Sequence, residues 1–230
     1  ALAASIANAI DLPPYGTGKL LDISVEPQSI ALNGRDDRRQ LIVTGRYENG
    51  GLRDLTDTAK LSIVDEKIAR LVDGTSLIPA DNGVTTLGVD VDGMKSTTKI
   101  TVTRAKEGLP INFANEIVPI LTKLGCNAGA CHGKSEGKNG FKLSLLGFDA
   151  QYDYDALVHE ARGRRVLEST PEKSLLLLKT TGGLPHGGGE LLDIESAEYR
   201  LMLRWIASGM PFGSDDDPTI TEIRVVPTER

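Results

Sequence analysis

A change in the spacing of apolar residues near positions 105–110 is the feature that most constrains the fold. From about residue 20 to residue 104, apolar and polar residues alternate in short β-branched runs, which end in turn sequences such as Asn33-Gly34 and Asp92-Gly93. That pattern is typical of β-strands. Further on, apolar residues such as Phe113, Ile117 and Ile120 recur at offsets of three and four, which is the spacing of one helix face. The sequence therefore predicts two domains with a linker at 105–110.

The first predicted domain, residues 20–105, holds about six to eight short strands, a number that fits an all-β Ig-like sandwich. It contains no cysteine, histidine or tryptophan. A metal centre of Cys or His ligands is therefore excluded from this half. We interpret it as a structural or adhesive module.

The second predicted domain, residues 111–213, is expected to be mainly α. One helix begins near Phe113, a second has Thr170 as its N-cap with Pro171 at the first position, and Ser196 caps a third. Glycine-rich segments lie between them. Residues 1–19 are interpreted as an extended lead-in, and residues 214–230 as a tail with strand character that begins a further module.

Charge and composition exclude several classes of function. The net charge is −6 and the pI about 5.2, which argues against a surface for nucleic acid or anionic membranes. No apolar run approaches the roughly 20 residues that a membrane span needs. The opening residues contain an Ala-x-Ala pattern at Ala7 to Ala9. It is similar to the end of a processed export signal, and a frayed terminus explains it equally well.

The segment with the most specific chemistry runs from Cys126 to Gly133. Two thiols followed directly by an imidazole, Cys131-His132, form the arrangement that attaches a c-type haem: the thiols bond to the haem, and the histidine binds the iron. Four residues separate the cysteines, where the usual spacing is two. Ala128, Gly129 and Ala130 are small enough for the extra length to bulge.

Three other interpretations of these cysteines remain open. A Cys126–Cys131 disulfide would close a very small loop and leave His132 unexplained. A zinc site could use the two cysteines and His132, but there is no second cysteine pair to complete it. Two inert buried thiols are the third possibility.

A haem that transfers electrons generally has a second axial ligand. His186 lies in a loop with little side-chain bulk, Pro185 to Gly189, and Met210 follows the last predicted helix, so both are candidates. An open or water-bound iron is the further alternative. His159 is expected on a helix surface, and Met202 is expected in the core. The choice matters because Met/His ligation gives a higher reduction potential than two imidazoles.

Both halves resemble known families. Residues 111–213 resemble the planctomycete-type cytochrome c domain, in the variant with four residues between the cysteines. The matching words are Gly125 to Gly133, Arg162-Gly163-Arg164-Arg165, Pro171 to Leu176, Pro185-His186-Gly187-Gly188-Gly189, and Arg204-Trp205-Ile206 before Gly209-Met210-Pro211. Residues 20–104 resemble, more loosely, a bacterial Ig-like domain of group 2, through Val25 to Ile30, Thr44 to Tyr47 and Arg53 to Thr56.

The resemblance implies one haem c, bound through Cys126 and Cys131, with His132 and His186 on the iron. It favours His186 over Met210, because the Pro-His-Gly-Gly-Gly motif recurs in this variant. Arg164 and Arg165 are candidates for neutralising the haem propionates, or else form a solvated charged turn.

The resulting fold class is two domains, an all-β Ig-like sandwich followed by a mainly α cytochrome c-like domain. The expected function is electron transfer by an exported, periplasmic or cell-envelope protein that is not itself an enzyme. A haem sensor with an open iron position and a non-haem structural protein are the alternatives. The redox partner is not indicated, and whether the Ig-like half binds protein or glycan is left open.

Overall fold

The computed structural model describes residues 15–214, 216–218 and 220–222. The signal-like opening residues and most of the tail that was predicted to have strand character lie outside this part of the chain. The chain divides between Leu109 and Pro110 into two compact units.

The strands of the first unit form three separate sheets. Their bounds are β1 (Leu20–Glu26), β2 (Ile30–Asn33), β3 (Arg39–Gln40), β4 (Ile42–Tyr47), β5 (Leu52–Asp54), β6 (Lys60–Ile63), β7 (Ala69–Val72), β8 (Ser76–Pro79), β9 (Gly83–Val91) and β10 (Met94–Thr103). The sheet orders are β1-β4-β5, β2-β10-β9-β6 and β3-β8-β7.

The longest pairing is the β9–β10 hairpin, which joins Met94 opposite Val91 through the Asp92-Gly93 turn. Both turn residues have positive φ, 52° and 86°, as a two-residue hairpin turn of the favoured twist requires. β10 also pairs in parallel with β2, with Ile100 opposite Ile30. Alternate side chains of these strands enter one core, so that Leu87 and Ile100 are fully buried.

The second unit has four short α-helices among its described residues: α1 (Val118–Lys123), α2 (Ala150–Tyr154), α3 (Leu175–Thr180) and α4 (Ala197–Ala207). Single turns of π-helix or 3₁₀-helix cover Phe113–Ile117, Leu145–Gly147, Asp155–His159, Glu160–Gly163 and Pro171–Lys173. The predicted cap of the last helix is confirmed, because the Ser196 hydroxyl accepts a hydrogen bond from the Tyr199 amide at 3.0 Å.

The predicted cap at Thr170 is confirmed only in its position, since Thr170 directly precedes a helical turn that begins at Pro171. Its side chain caps no helix, and Pro171 begins only a single 3₁₀ turn. The backbone then becomes extended at Ser174, with ψ 133°, and α3 starts at Leu175. The Ser174 hydroxyl accepts a hydrogen bond from the Leu167 amide instead.

An aromatic cluster forms the core of the second unit. The rings of Phe113 and Trp205 are 5.3 Å apart, and both residues are fully buried. The Trp205 indole donates to the Pro211 carbonyl at 2.9 Å, so its one polar group is satisfied. Met202 is buried in the same core, as expected.

The predicted fold class, an Ig-like sandwich followed by a mainly α cytochrome c-like domain, is wrong. The molecule is mostly β, with 27% strand against 23% helix, and its helices are short. The strands form three sheets, whereas the sandwich needs two. Helical spacing of apolar residues overestimates the helical content of the second half, because positive-φ glycines, Gly125, Gly182 and Gly209, follow closely on α1, α3 and α4.

Candidate functional site

The end of α1 fixes the position of Cys126. Gly125 has φ 73° and follows the last helical turn, and its amide donates to the Thr122 carbonyl at 3.0 Å. The Cys126 amide donates to the Leu121 carbonyl at 2.8 Å. These two bonds form a Schellman motif, in which the residue after the glycine packs back on the helix. Cys126 is therefore held, and buried, against Leu121.

The loop after Cys126 folds back on its own backbone. The His132 amide donates to the Cys126 carbonyl at 2.9 Å, and the Cys131 amide donates to the Ala128 carbonyl at 2.9 Å. A side chain on Gly133 would place its Cβ only 1.9 Å from the Asn127 carbonyl oxygen, so this position admits glycine alone. The bulge that the four-residue spacing requires is thus a hydrogen-bonded turn that brings Cys126, Cys131 and His132 together.

His132 is half-buried, and its Nδ1 is 3.0 Å from the Phe141 carbonyl oxygen. A carbonyl only accepts, so Nδ1 carries the hydrogen and Nε2 keeps its lone pair. Burial lowers the pKa of His132, the Phe141 carbonyl opposes this, and the nearby charges of His186, Lys138 and Arg165 lower it further. Near neutral pH the imidazole is uncharged, the form that binds a metal.

Phe141 reaches His132 from a tight turn. Lys138 and Phe141 pair with each other across Asn139 and Gly140, whose φ values are 52° and 72°, typical of an Asn-Gly hairpin turn. The Arg165 guanidinium lies 4.6 Å from the centre of the Phe141 ring. Sequence analysis missed this support for His132, although the Asn-Gly pair is a recognisable turn signal.

His186 makes the same kind of hydrogen bond as His132. Its Nδ1 is 3.0 Å from the Gly189 carbonyl oxygen, so its Nε2 lone pair is also available. A Cβ on Gly188 would lie 3.0 Å from the His186 Cε1 atom. The absence of a side chain at Gly188 therefore gives the imidazole its room.

His132 and His186 lie across one cavity of about 360 Å³. Their ring centroids are 6.5 Å apart, and their planes are parallel within 6°. Two imidazoles that bind one metal ion from opposite sides, with metal–nitrogen bonds of about 2.0–2.1 Å, have ring centres about 6–6.5 Å apart. The two histidines therefore have the separation that a shared metal ion between them requires.

The wall of the cavity is apolar and its polar lining is cationic. Leucines and Phe141 supply the apolar wall, and the cations are Lys138, Arg164, Arg165 and Lys179. No carboxylate stands among the described residues that line it. An apolar wall with several positive charges suits a flat apolar ligand that bears negative groups.

The two predicted arginines differ in their surroundings. Arg165 is buried and donates to the Ala156 carbonyl at 2.6 Å and to the Gly140 carbonyl at 2.8 Å. Burial lowers its pKa. Arg164 is exposed and, among the described residues, makes no ion pair. Of the two, Arg164 is the arginine available to an anionic ligand.

The cavity brings together Cys126, Cys131, His132, Arg164, Arg165 and His186. Met210, the alternative ligand, is not in its lining and packs against the aromatic core. Met210 also bonds through its backbone, since its carbonyl accepts from the Tyr154 hydroxyl at 2.7 Å. His159 is exposed and pairs with Asp155 at 2.8 Å.

The two cysteines are free thiols, and no disulfide joins them. Burial raises the pKa of Cys126 to about 11, with a further contribution from Cys131. Near neutral pH, Cys126 is therefore a neutral thiol and not a thiolate nucleophile. Within the part of the chain that the structure describes, no group of three His, Cys, Asp or Glu residues is arranged to hold a metal ion. The zinc alternative gains no support.

The residues of the cavity fit a haem. Two parallel imidazoles with available Nε2 atoms lie 6.5 Å apart in the lining, and two thiols lie in the same lining. A haem needs only these two protein ligands on its iron, so the lack of a three-ligand cluster does not bear on it.

Comparison with known proteins adds little to this geometry. No known family's sequence profile matches the chain, and no curated protein does. Among solved structures, domains 5–6 of the S-layer protein SbsC are 14% identical over 41% of this chain and 48% of theirs, with a TM-score of 0.33. A longer SbsC fragment, rSbsC(31-844), is 13% identical over 41% of this chain and 14% of its own length, with a TM-score of 0.34. This chain thus spans less than half of either structure.

No helix in the described part of the chain has the length and apolar character of a membrane span.

Proposed function

We propose that this protein is a c-type cytochrome that transfers electrons through one haem, bound covalently by Cys126 and Cys131 and ligated by His132 and His186. The observation that carries the proposal is the pair of parallel imidazoles, 6.5 Å apart, each with its Nδ1 hydrogen bonded to a backbone carbonyl. The similarity of residues 111–213 to planctomycete-type cytochrome c sequences supports it.

The cysteines would supply the covalent links. A neutral thiol adds across a vinyl double bond without gaining or losing an electron, because the sulfur bonds to one carbon and the hydrogen moves to the other. The high pKa of Cys126 keeps it in the required thiol form. The Schellman motif and the turn closed by Gly133 hold both sulfur atoms in the cavity lining.

The histidines would set the redox properties. A haem in this site supplies one iron that gains and loses a single electron. The Phe141 and Gly189 carbonyls would fix the orientation of the two imidazoles. They would also make each Nε2 atom a better electron-pair donor to the iron. Two imidazole ligands favour a lower reduction potential than Met/His ligation. The position of Met210 outside the cavity lining supports the same assignment.

The cationic lining would receive the negative edge of the cofactor. Arg164 and Lys138 are exposed and line the cavity, so they can form charge-assisted hydrogen bonds with carboxylates. Arg165 has a different role in the proposal, because its hydrogen bonds go to the backbone. It supports Phe141 and, through Phe141, His132.

A gas or peroxide sensor would need one open face on the iron. The position of His186 in the cavity favours electron transfer over that alternative. A c-type haem protein of this kind would act outside the cytoplasm, so we propose an exported, periplasmic or cell-envelope location. The first unit would connect or position the haem-binding unit.

The proposal is tested by the intact mass of denatured protein from an export-competent host with haem-attachment machinery. The expected mass is that of the chain plus one haem, and the pigment stays with the chain on a denaturing gel. The Cys126→Ser, Cys131→Ser double variant is expected to lose the pigment. Colourless wild-type protein with the mass of its amino acids alone would contradict the proposal.

A further inference from the structure

A second groove lies beside the haem cavity. We call it the cationic groove; its volume is about 580 Å³. Its apolar floor includes Val166, Leu178 and Leu184, and its cations are Arg164, Lys173 and Lys179. Part of this apolar surface is open to solvent, since Leu184 is 38% exposed. The groove therefore combines exposed apolar area with positive charge.

The lining of the cationic groove carries positive charge and, among the described residues, no negative charge. Among the described residues, none that lines it is acidic, and Arg164, Lys173 and Lys179 take part in no ion pair. The Lys179 ammonium donates a hydrogen bond to the Pro185 carbonyl, which is neutral. The whole chain has a net charge of −6. A patch of three cations that form no ion pair among the described residues, on an acidic protein, points to an anionic partner.

The backbone at one edge of the groove is strained. Ala161, Arg162 and Gly163 are consecutive residues with φ of 52°, 61° and 66°. A left-handed conformation is unfavourable for Ala and Arg, because it brings the Cβ atom close to the following carbonyl oxygen. Such strain is concentrated at functional positions. Here the strained turn leads directly into Arg164, the residue that the groove shares with the haem cavity.

The groove and the haem cavity have a common wall. Arg164, Leu175 and Lys179 line both. A molecule in the groove would thus be separated from a haem in the cavity only by these side chains. Electron exchange requires a docked partner to lie close to the haem, and a partner in the groove would meet this requirement.

From these observations we propose that the cationic groove is the docking site of an acidic redox protein, which exchanges electrons with the haem across the Leu175 wall. This inference rests on the proposed function. An apolar centre with charges around it is the usual composition of a protein interface, and the positive charges speed the encounter with a negative partner.

Hexacyanoferrate(III), a trivalent anion, is a probe for the sign of this local charge. It takes one electron from the reduced haem protein and becomes hexacyanoferrate(II). If the groove governs the encounter, the rate falls as salt is added, because screening weakens an attraction. If the net charge of −6 governs it, the rate rises with salt. The second result, from pigmented protein, would overturn the inference and leave the proposed function intact.

Lys173→Glu is the decisive variant. Lys173 is exposed and lines only the cationic groove, so the haem cavity is unaffected. At low salt we expect this variant to react roughly three- to tenfold more slowly than wild type. The reason is that a positive charge that attracts the hexacyanoferrate anion becomes a negative one, which still acts over a separation of about 10 Å. Lys142→Glu makes the same change in net charge at an exposed residue outside both cavities, and it is expected to react within about twofold of wild type. Equal effects of the two variants would overturn the proposal.

A spectroscopic readout and a competition experiment test the same groove. Hexacyanochromate(III), which is paramagnetic, should broaden the backbone amide signals of Lys173 and Leu184 in the NMR spectrum, and Lys173→Glu should abolish the broadening. Soluble poly-L-glutamate should slow hexacyanoferrate oxidation of wild type and not of Lys173→Glu. Broadening spread over the whole surface, or equal inhibition of both proteins, would refute an acidic-protein docking site.

Discussion

The guanidinium of Arg165 lies 4.6 Å from the centre of the Phe141 ring, and the Phe141 carbonyl accepts the Nδ1 hydrogen of His132. The same arginine donates to the carbonyls of Ala156 and Gly140. It therefore links three segments of the second unit behind the proposed iron ligand. The Arg165 side chain is buried. Replacing it with an uncharged side chain therefore tests how much these hydrogen bonds contribute to stability.

Arg165→Met should lower the free energy of unfolding by about 1–3 kcal/mol, because the buried Ala156 carbonyl loses its charged donor and the exposed Gly140 carbonyl loses a second one. Urea unfolding measures the change. Arg164→Met is the neighbouring control, and as a change at an exposed side chain it should stay within about 0.5 kcal/mol of wild type. Equal losses for the two variants would contradict the structural role given to Arg165.

Gly133→Ala should prevent the turn between Cys126 and His132 from closing, because its Cβ would meet the Asn127 carbonyl oxygen at 1.9 Å. We expect a loss of about 2–4 kcal/mol in stability and poor haem attachment. Gly129→Ala tests the same loop where the nearest atom, in Leu145, is 3.7 Å away. It should remain within about 1 kcal/mol of wild type. Normal haem attachment and normal stability of Gly133→Ala would contradict the close approach of Gly133 to the Asn127 carbonyl.

A pair of buried threonines in the first unit should respond to substitution with opposite signs. Thr44 in β4 is 4% exposed, and its hydroxyl has no hydrogen-bond partner in the described part of the chain. Thr44→Val should therefore stabilise the protein by about 1 kcal/mol. Thr85 is equally buried, but its hydroxyl accepts from the Asp65 amide at 3.0 Å, so Thr85→Val should destabilise by about the same amount. Thermal unfolding of both variants checks the two signs.

Asp153 should make stability depend on pH. Burial raises its pKa above 3.8, although hydrogen bonds from Ser144 oppose the shift. A raised carboxyl pKa means that the folded state binds the proton more tightly. The stabilisation is complete below about pH 3.8 and is lost as pH rises through the folded-state pKa. The difference in unfolding free energy between wild type and Asp153→Asn should therefore shift in favour of wild type as pH falls. A shift in favour of Asp153→Asn as pH falls would contradict a raised pKa for Asp153.

Local signals in the sequence were reliable where a few neighbouring residues decide the structure. Ser196 caps α4 as predicted, and the Asp92-Gly93 turn joins β9 to β10. The three-sheet arrangement could not be predicted, because alternation shows which residues share a face and not which strands pair. The predicted helical content of the second unit is too high. Apolar residues spaced by three and four also occur where single π-helical or 3₁₀ turns pack against one core.

The candidate site followed from residue types, whereas its geometry did not. Cys126, Cys131, His132 and His186 were selected by their spacing and by resemblance. The burial of Arg165 behind Phe141 could not be predicted, because an Arg-Arg pair in a glycine-containing run is typical of a solvated turn. The left-handed backbone at Ala161 and Arg162 was equally unexpected, since neither residue type favours it.

Carbon monoxide binding to the reduced haem protein tests the opposed histidines most directly, because carbon monoxide needs an open iron position. The account predicts that wild type does not bind it, that His186→Ala does, and that the control His159→Ala behaves as wild type. Binding by the wild-type protein, or no difference between the two histidine variants, would contradict ligation by His132 and His186.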